Sequence, residues 1–135
     1  RDGRQRSTCR VALAATDGSE RWRIPTRGFV RSSPAVQGES VYVGSADNGV
    51  YSLSASNRSI QWQFQTGRAV QSSPTLAGDT VYIGSGDGNV YALAASDGSQ
   101  RWQVQTGDAV LSTPAVVNGT VYVGSFDNNI YALSG

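Results

Sequence analysis

The stretch VYIGSGDGNVYALAASDGSQRWQVQT, residues 81–106, decides the fold of this chain. Residues 81–85 are rich in β-branched and aromatic side chains, and the Gly-Asp-Gly-Asn cluster after them predicts a tight type I′ hairpin turn. Residues 90–93 form the next predicted strand, and Ser-Asp-Gly-Ser then predicts a second turn. Residues 101–105 alternate polar and apolar side chains, as a half-buried strand does.

The same pattern recurs with a period of 40 residues in both directions from this stretch. After each Trp-containing strand we predict one further strand, which in this unit covers residues 110–117. This strand contains Pro114 and must lie at a free edge of the sheet, because proline has no N–H to donate to a neighbouring strand. The residues that repeat are Trp22, Trp62 and Trp102; Pro34, Pro74 and Pro114; Tyr42, Tyr82 and Tyr122; Gly44, Gly84 and Gly124; Asp47, Asp87 and Asp127; Tyr51, Tyr91 and Tyr131.

Units of four short strands, about 40 residues long and repeated in series, are typical of the blades of a β-propeller. A helical repeat would show an apolar period of 3.6 residues, which is absent from the sequence. We therefore predict an all-β chain with blades of four antiparallel strands and about three blades. The predicted divisions are a basic segment outside the repeat at 1–10, a partial blade at 11–26, blades at about 27–66 and 67–106, and an incomplete blade at 107–135.

Most of the repeated residues are predicted to serve the structure. Glycines suit turns, and the Val, Ile, Leu and Tyr positions pack blade against blade. Trp22, Trp62 and Trp102 are predicted to dock between neighbouring blades, each with its indole N–H bonded to a neighbouring carbonyl.

These residues resemble the pyrroloquinoline-quinone-type (PQQ-like) propeller repeat, whose tryptophan-docking motif reads Ala-x-Asp-x-x-Thr-Gly-x-x-x-Trp. The segment from Ala92 to Trp102 keeps the Ala, the Gly at Gly98 and the Trp, and residues 12–22 do the same. The middle copy has Ser52 and Arg58 in the Ala and Gly places. The motif's Asp and Thr are replaced in every copy, by Ala14, Ser54 and Ala94 and by Asp17, Asn57 and Asp97.

The resemblance implies two kinds of function. Quinoprotein dehydrogenases of the family hold a quinone and a Ca²⁺ ion on the propeller axis. Other members are non-catalytic: outer-membrane assembly lipoproteins, sensor regions of bacterial kinases, and secreted proteins. We place this chain with the non-catalytic members, which favours an extracellular, cell-surface or periplasmic location.

The residue inventory argues against catalysis. The chain has no His, which is the commonest catalytic base and metal ligand, and no Ser can join a His-dependent triad. The resemblance implies a vicinal disulfide and a Ca²⁺ ligand set in the dehydrogenases, yet this chain has one Cys, Cys9, and two Glu, Glu20 and Glu39, both at predicted turns. We predict no enzyme activity, no cofactor and no metal site. Cys9 is interpreted as a tolerated thiol, with an intermolecular disulfide as the alternative.

Charge and hydropathy exclude two further classes. No apolar run approaches the roughly 20 residues that span a bilayer. Residues 1–31 carry a net charge of +5 and the rest of the chain −4, but no aromatic side chains alternate with the basic ones as they do in proteins that stack bases. We predict no membrane span and no nucleic-acid binding.

A propeller places the hairpin between its second and third strands on the same face as the link between blades, and the repeats differ most in these loops. Scaffolds carry recognition on loops and leave strands to packing. We therefore predict a partner-binding loop face formed by Arg27, Asp47, Arg68, Asp87, Asp108, Phe126 and Asp127. The Asp-rich hairpins lack the ligand frame of a Ca²⁺ loop.

The strand inventory leaves the ring open. Residues 110–134 lack an outer fourth strand, and residues 20–25 are predicted to be an unattached fourth strand at the other end of the chain. Three blades are too few to close a propeller, which has four to eight. We expect further copies in a homo-oligomer, or the rest of a larger propeller. The predicted function is a protein-binding or assembly scaffold, and the alternatives are a fragment of a quinone-dependent dehydrogenase and a self-assembling structural subunit.

Overall fold

The computed structural model describes residues 8–13, 16–26, 28–56 and 59–135. Within these ranges the chain forms thirteen β-strands and no helix. The strands are β1 (Thr8–Leu13), β2 (Glu20–Thr26), β3 (Ala35–Gln37), β4 (Ser40–Gly44), β5 (Gly49–Ser54), β6 (Ile60–Gln65), β7 (Thr75–Ala77), β8 (Thr80–Gly84), β9 (Asn89–Ala94), β10 (Gln100–Gln105), β11 (Ala115–Val117), β12 (Thr120–Gly124) and β13 (Ile130–Ser134).

The strands pair with their neighbours in sequence, always antiparallel. Strands β3 to β6 form one four-stranded sheet and β7 to β10 a second, while β11 to β13 form a sheet of three. We call these sheets blades 1, 2 and 3. Strands β1 and β2 form a separate hairpin. The predicted all-β architecture, with about three blades built on the 40-residue repeat, is confirmed.

The hairpins between the second and third strands differ from the predicted type. A type I′ turn needs two residues with positive φ, but each hairpin has one, at Asn48 (78°), Gly88 (91°) and Asn128 (75°). In blade 2 the Gly88 N–H donates to the Ser85 carbonyl at 3.1 Å. The turn is therefore a type I turn followed by one left-handed residue, so the type I′ prediction was wrong.

The innermost strands are shorter than predicted. The strand expected over 110–117 forms only at Ala115–Val117, after Pro114. The segment before it serves the neighbouring blade instead, because the Val110 N–H donates to the Ser85 carbonyl of blade 2 at 3.0 Å. Proline and this contact together prevent ladder pairing upstream of Ala115.

The core lies between the blades. The segment leading into each blade places a valine against a glycine of the preceding one: a Cβ at Gly44 would lie 2.3 Å from Val70 Cγ1, and a Cβ at Gly84 would lie 2.2 Å from Val110 Cγ1. Such separations leave room for no side chain, so these two glycines repeat because of packing. Around the first contact, Val50 and its neighbours form the largest buried cluster.

The two ends of the array differ from the interior. At the C-terminal end Ile130 is 83% exposed, although its counterparts Val50 and Val90 are fully buried. At the N-terminal end β2 was predicted to be unattached, but the structure pairs it with β1, from Thr8 opposite Thr26 onward. Strand β1 thus begins inside the segment 1–10 that the sequence places outside the repeat.

Candidate interaction surfaces between blades and on the loop face

Trp62 docks blade 1 onto blade 2. Its indole Nε1–H donates to the Ala95 carbonyl at 2.9 Å, and the Tyr42 hydroxyl donates to the same oxygen at 3.2 Å. The ring lies over Gly98, whose φ is +75° and where a Cβ would be 2.6 Å from Trp62 Cδ2. The motif glycine is therefore required twice, for its backbone conformation and for the space it leaves to the indole.

Trp102 occupies the same place at the next junction but is only half-buried. Its ring centroid lies 5.8 Å from that of Tyr82, as the Trp62 ring lies 5.9 Å from that of Tyr42. The side chain of Trp22 falls outside the described side chains. The three predicted docking positions thus comprise one buried indole, one half-buried indole and one whose environment is not described.

The inner strands are also joined across the blades. The Ser72 hydroxyl donates to the Ser112 carbonyl at 2.8 Å, and the Thr75 hydroxyl donates to the Pro114 carbonyl at 2.5 Å. The Ser33 N–H donates to the Ser73 hydroxyl at 2.7 Å. These bonds join residues 39 or 40 positions apart, which is the repeat period, so they hold each blade in register with the next.

On the loop face, the hairpin between the second and third strands of each blade carries an aspartate that accepts hydrogen bonds from within the chain. Asp87 accepts from the Tyr91 hydroxyl at 2.5 Å, from the Gly67 N–H at 2.9 Å and from the Asn89 N–H at 2.9 Å. Asp127 accepts in the same way from Tyr131, Gly107 and Asn129. Asp47 accepts from Tyr51 at 2.5 Å and from Gly49 at 2.9 Å.

These contacts shift the pKa values of both partners. Burial alone would raise the pKa of Asp87, but the hydrogen bonds from Tyr91, Gly67 and Asn89 outweigh it and hold that pKa below its ordinary value. Burial and the adjacent carboxylate raise the pKa of Tyr91. The hydrogen bond from Tyr131 lowers the pKa of Asp127. The Asp87 and Asp127 carboxylates are therefore held in their charged form by bonds within the chain, which gives these positions a structural role.

Three other predicted loop-face residues are exposed. Arg68 and Asp108 lie in the links between blades, and Phe126 is 63% exposed. The Phe126 N–H donates to the Ala109 carbonyl at 2.9 Å. Arg27 is outside the described residues. The structure thus divides the predicted face into three engaged aspartates and an exposed set of Arg68, Asp108 and Phe126.

An open cleft of about 570 Å³ lies next to Arg68. It is lined by Asn48, Gly67, Arg68, Ala69, Gln71, Gly86, Ala109 and Leu111. Hairpin residues of blades 1 and 2 and the links that lead into blades 2 and 3 contribute to it, so sequence reasoning had no local signal for its existence. Ala109, one of the lining residues, accepts the Phe126 N–H at its carbonyl, so the backbone of Phe126 lies at one edge of the cleft.

Sequence reasoning also missed a second cleft and a cation–π contact. A cleft of about 430 Å³ between blades 1 and 2 is lined by Gln37, Ser40, Tyr42, Gln61, Gly78, Asp79, Ala95 and Ser96. Phe29 is 55% exposed, with the Arg31 guanidinium 5.7 Å from its ring centroid.

Among the described residues there is no group of three or more metal-ligating side chains, and no described helix is long and apolar enough to cross a membrane.

The antiparallel four-strand blades, the interlocking Val–Gly contacts and the Trp-docking geometry define a PQQ-repeat β-propeller. The sequence model of the family described as outer membrane protein assembly factor BamB matches residues 4–135. The chain belongs to that family. No curated protein matches it by sequence.

Solved structures agree with this fold. BamB from Moraxella catarrhalis superposes with a TM-score of 0.86 at 23% identity, over 96% of this chain and 44% of that one. The chain therefore spans less than half the length of that BamB. The computationally designed Ika4 protein gives a TM-score of 0.81 at 12% identity, over 96% of this chain and 85% of that one. Quinohemoprotein alcohol dehydrogenase ADHIIG from Pseudomonas putida HK5 gives a TM-score of 0.77 at 19% identity, over 87% of this chain and 25% of that one.

Proposed function

We propose that this chain is a non-catalytic propeller scaffold that binds a protein partner through its loop face. One observation carries the proposal. The loop residues that differ from blade to blade, Arg68, Asp108 and Phe126, are exposed, and Arg68 lines the 570 Å³ cleft while Phe126 is bonded through its N–H to the lining residue Ala109. Exposed aromatic and arginine side chains beside a cleft are the residue types that most often dominate protein interfaces.

The description of the family supports a cellular location and a biological role for this binding. Its description names an outer membrane protein assembly factor, and we extend to this chain a role in binding proteins during assembly, in the periplasm or at the cell surface. Recognition through loops is compatible with the fold, because the strands are committed to packing between blades.

The test places a photo-crosslinking amino acid at Phe126 and, in a matched variant, at Gln61, an exposed residue of the 430 Å³ cleft. Crosslinking in cells of the source organism, followed by mass spectrometry, is expected to give one dominant protein adduct at 126 and none at 61. Adding Arg68→Glu should abolish the adduct at 126. Equal labelling from both positions, or labelling unaffected by Arg68→Glu, contradicts the proposal.

The likeness to quinohemoprotein alcohol dehydrogenase makes a dehydrogenase fragment the second candidate. The residues of this chain do not fit the quinone and Ca²⁺ of such enzymes. Glu20 is paired with Arg23 at 2.6 Å, Glu39 lies exposed at a turn, and a single Cys forms no vicinal disulfide. Adding quinone with Ca²⁺ should leave the melting temperature unchanged, and saturable stabilisation would support the dehydrogenase instead.

A further inference from the structure

The chain contains two Asn-Gly pairs, Asn48-Gly49 and Asn118-Gly119. In such a pair the backbone nitrogen of the glycine can attack the side-chain amide carbon of the asparagine, because glycine has no Cβ to obstruct the approach. A five-membered succinimide ring forms, and ammonia leaves. This reaction needs no enzyme, so the local structure determines which of the two asparagines reacts.

Hydrogen bonds hold the first pair in place. The Gly49 N–H donates to the Asp47 carboxylate at 2.9 Å. The Asn48 carbonyl accepts from the Thr66 N–H at 2.8 Å. Gly49 is buried at the start of β5, and a Cβ there would lie 3.0 Å from Tyr51 Cε1. The attacking nitrogen of this pair is therefore bonded to another group and closely surrounded.

The second pair forms the two-residue turn between β11 and β12 and is open to solvent. Both residues have positive φ, 49° at Asn118 and 78° at Gly119, which is the combination that a type I′ turn requires. Both are exposed, and a Cβ at Gly119 would meet no described residue beyond its chain neighbours within 4 Å. Within the described part of the chain, neither the Gly119 N–H nor the Asn118 side chain has a hydrogen-bond partner.

The exposure of this turn does not arise from its place in blade 3. In blade 2, which has a described blade on either side, the equivalent turn Gly78-Asp79 is exposed as well. In blade 1 the same turn is Gly38-Glu39. Of the three described blades, blade 3 is therefore the one whose exposed turn between the first and second strands contains Asn-Gly.

We propose that Asn118 is a site of spontaneous deamidation. The Gly119 nitrogen forms a bond to Asn118 Cγ, the bond from Cγ to Nδ2 breaks, and the proton of the Gly119 N–H leaves with Nδ2 as ammonia. Water then opens the succinimide at one of its two carbonyl carbons, which gives either aspartate or isoaspartate at position 118. No oxidant or reductant takes part, and the reaction does not depend on whether the loop face binds a partner.

The two products change the β11–β12 hairpin in different ways. Both add one negative charge to a turn that is neutral in the unmodified chain, whereas Glu39 and Asp79 already place a carboxylate in the other two turns. Isoaspartate also lengthens the main chain of the turn by one methylene, and hairpin register depends on loop length. Strand β11 has only three residues, all paired with β12. The isoaspartyl product is therefore expected to loosen this inner strand.

Peptide mapping of the folded 135-residue chain by mass spectrometry measures both asparagines in one sample. Incubation at mildly alkaline pH promotes loss of the attacking N–H proton. Asn118 is expected to lose its amide at least about tenfold faster than Asn48, because opening one hydrogen bond to a charged group already slows a reaction by about that factor. In concentrated urea, where neither pair is protected, the two rates should become similar. A rate at Asn118 no higher than that at Asn48 in the folded chain overturns the proposal.

Replacing the turn of blade 3 with that of blade 2 supplies the control. Asn118→Gly with Gly119→Asp reproduces Gly78-Asp79, which the same hairpin already accommodates in blade 2. Trypsin releases residues 102–135 as one peptide, because this range contains no Lys or Arg. Methylation of that peptide by an isoaspartyl methyltransferase should increase with incubation time in the parent chain and stay at its initial level in the variant. Equal methylation of the two peptides overturns the assignment of the site to Asn118.

Discussion

Replacing Trp62 with alanine removes the indole that joins blades 1 and 2. The side chain is 8% exposed, and aromatic side chains bury about 150–250 Å² each. At about 25 cal/mol per Å² this area corresponds to about 4–6 kcal/mol, and deleting a buried Trp or Phe to Ala costs about 3–5 kcal/mol. We expect Trp62→Ala to lower the free energy of unfolding by about 4 kcal/mol, a large part of the roughly 5–15 kcal/mol that stabilises a typical domain.

Two matched variants divide this loss into its causes. Trp62→Phe retains most of the packing and loses the indole N–H, but the Ala95 carbonyl still accepts from Tyr42. It should therefore cost about 1–2 kcal/mol. Trp102→Ala removes a half-buried indole at the equivalent position, so it should cost about half as much as Trp62→Ala.

Urea denaturation monitored by far-UV circular dichroism measures all three variants at one protein concentration. The reasoning fails if Trp62→Ala changes the free energy of unfolding by less than about 1 kcal/mol, because so small a loss is incompatible with a buried indole. It also fails if Trp102→Ala is the more destabilising change.

Three further predictions concern the turns and the loop face. Gly98→Ala should destabilise the fold by about 1–3 kcal/mol in urea, because φ is +75° and the new Cβ would overlap Trp62. The pKa of Asp87 is lower in the folded state than its ordinary value, so the charged carboxylate stabilises the fold above the ordinary carboxyl pKa. This stabilisation is lost as the pH falls through the folded-state pKa. Tyr91→Phe removes one of the hydrogen bonds that lower this pKa, so it should raise the pKa of Asp87 and move acid unfolding to higher pH. Phe126→Ser should leave the melting temperature within about 2 °C while weakening partner crosslinking at least tenfold, and a matching loss of stability would refute a binding role.

Strand content was predictable because the side chains alternate and the period is constant. Residues 90–93 and 101–105 lie within the observed β9 and β10. The inner strand was predicted too long because Val110 is apolar and β-branched for a reason other than ladder pairing, namely to fill the slot at Gly84. Composition does not distinguish a valine that packs on the next blade from one that pairs in a strand.

The candidate site was less predictable than the fold. Gly-, Asn- and Asp-rich hairpins indicate a turn, but the choice between type I′ and a type I turn with one left-handed residue depends on backbone angles that the composition leaves open. The exposure of Phe126 also required the structure, because the same hairpin slot is Gly86 in the previous blade.

By itself, the sequence determined the repeat, the four-strand unit and the presence of about three blades in this chain. These features follow from local alternation and from a period that needs no knowledge of distant contacts. Tertiary structure decided which loop side chains accept hydrogen bonds from distant parts of the chain. Asp87 accepts the Gly67 N–H from twenty residues upstream, and Trp62 donates to Ala95 thirty-three residues downstream. Such bonds exist only once the chain has folded back and one blade has stacked on the next, so they determine whether a carboxylate is available to a partner.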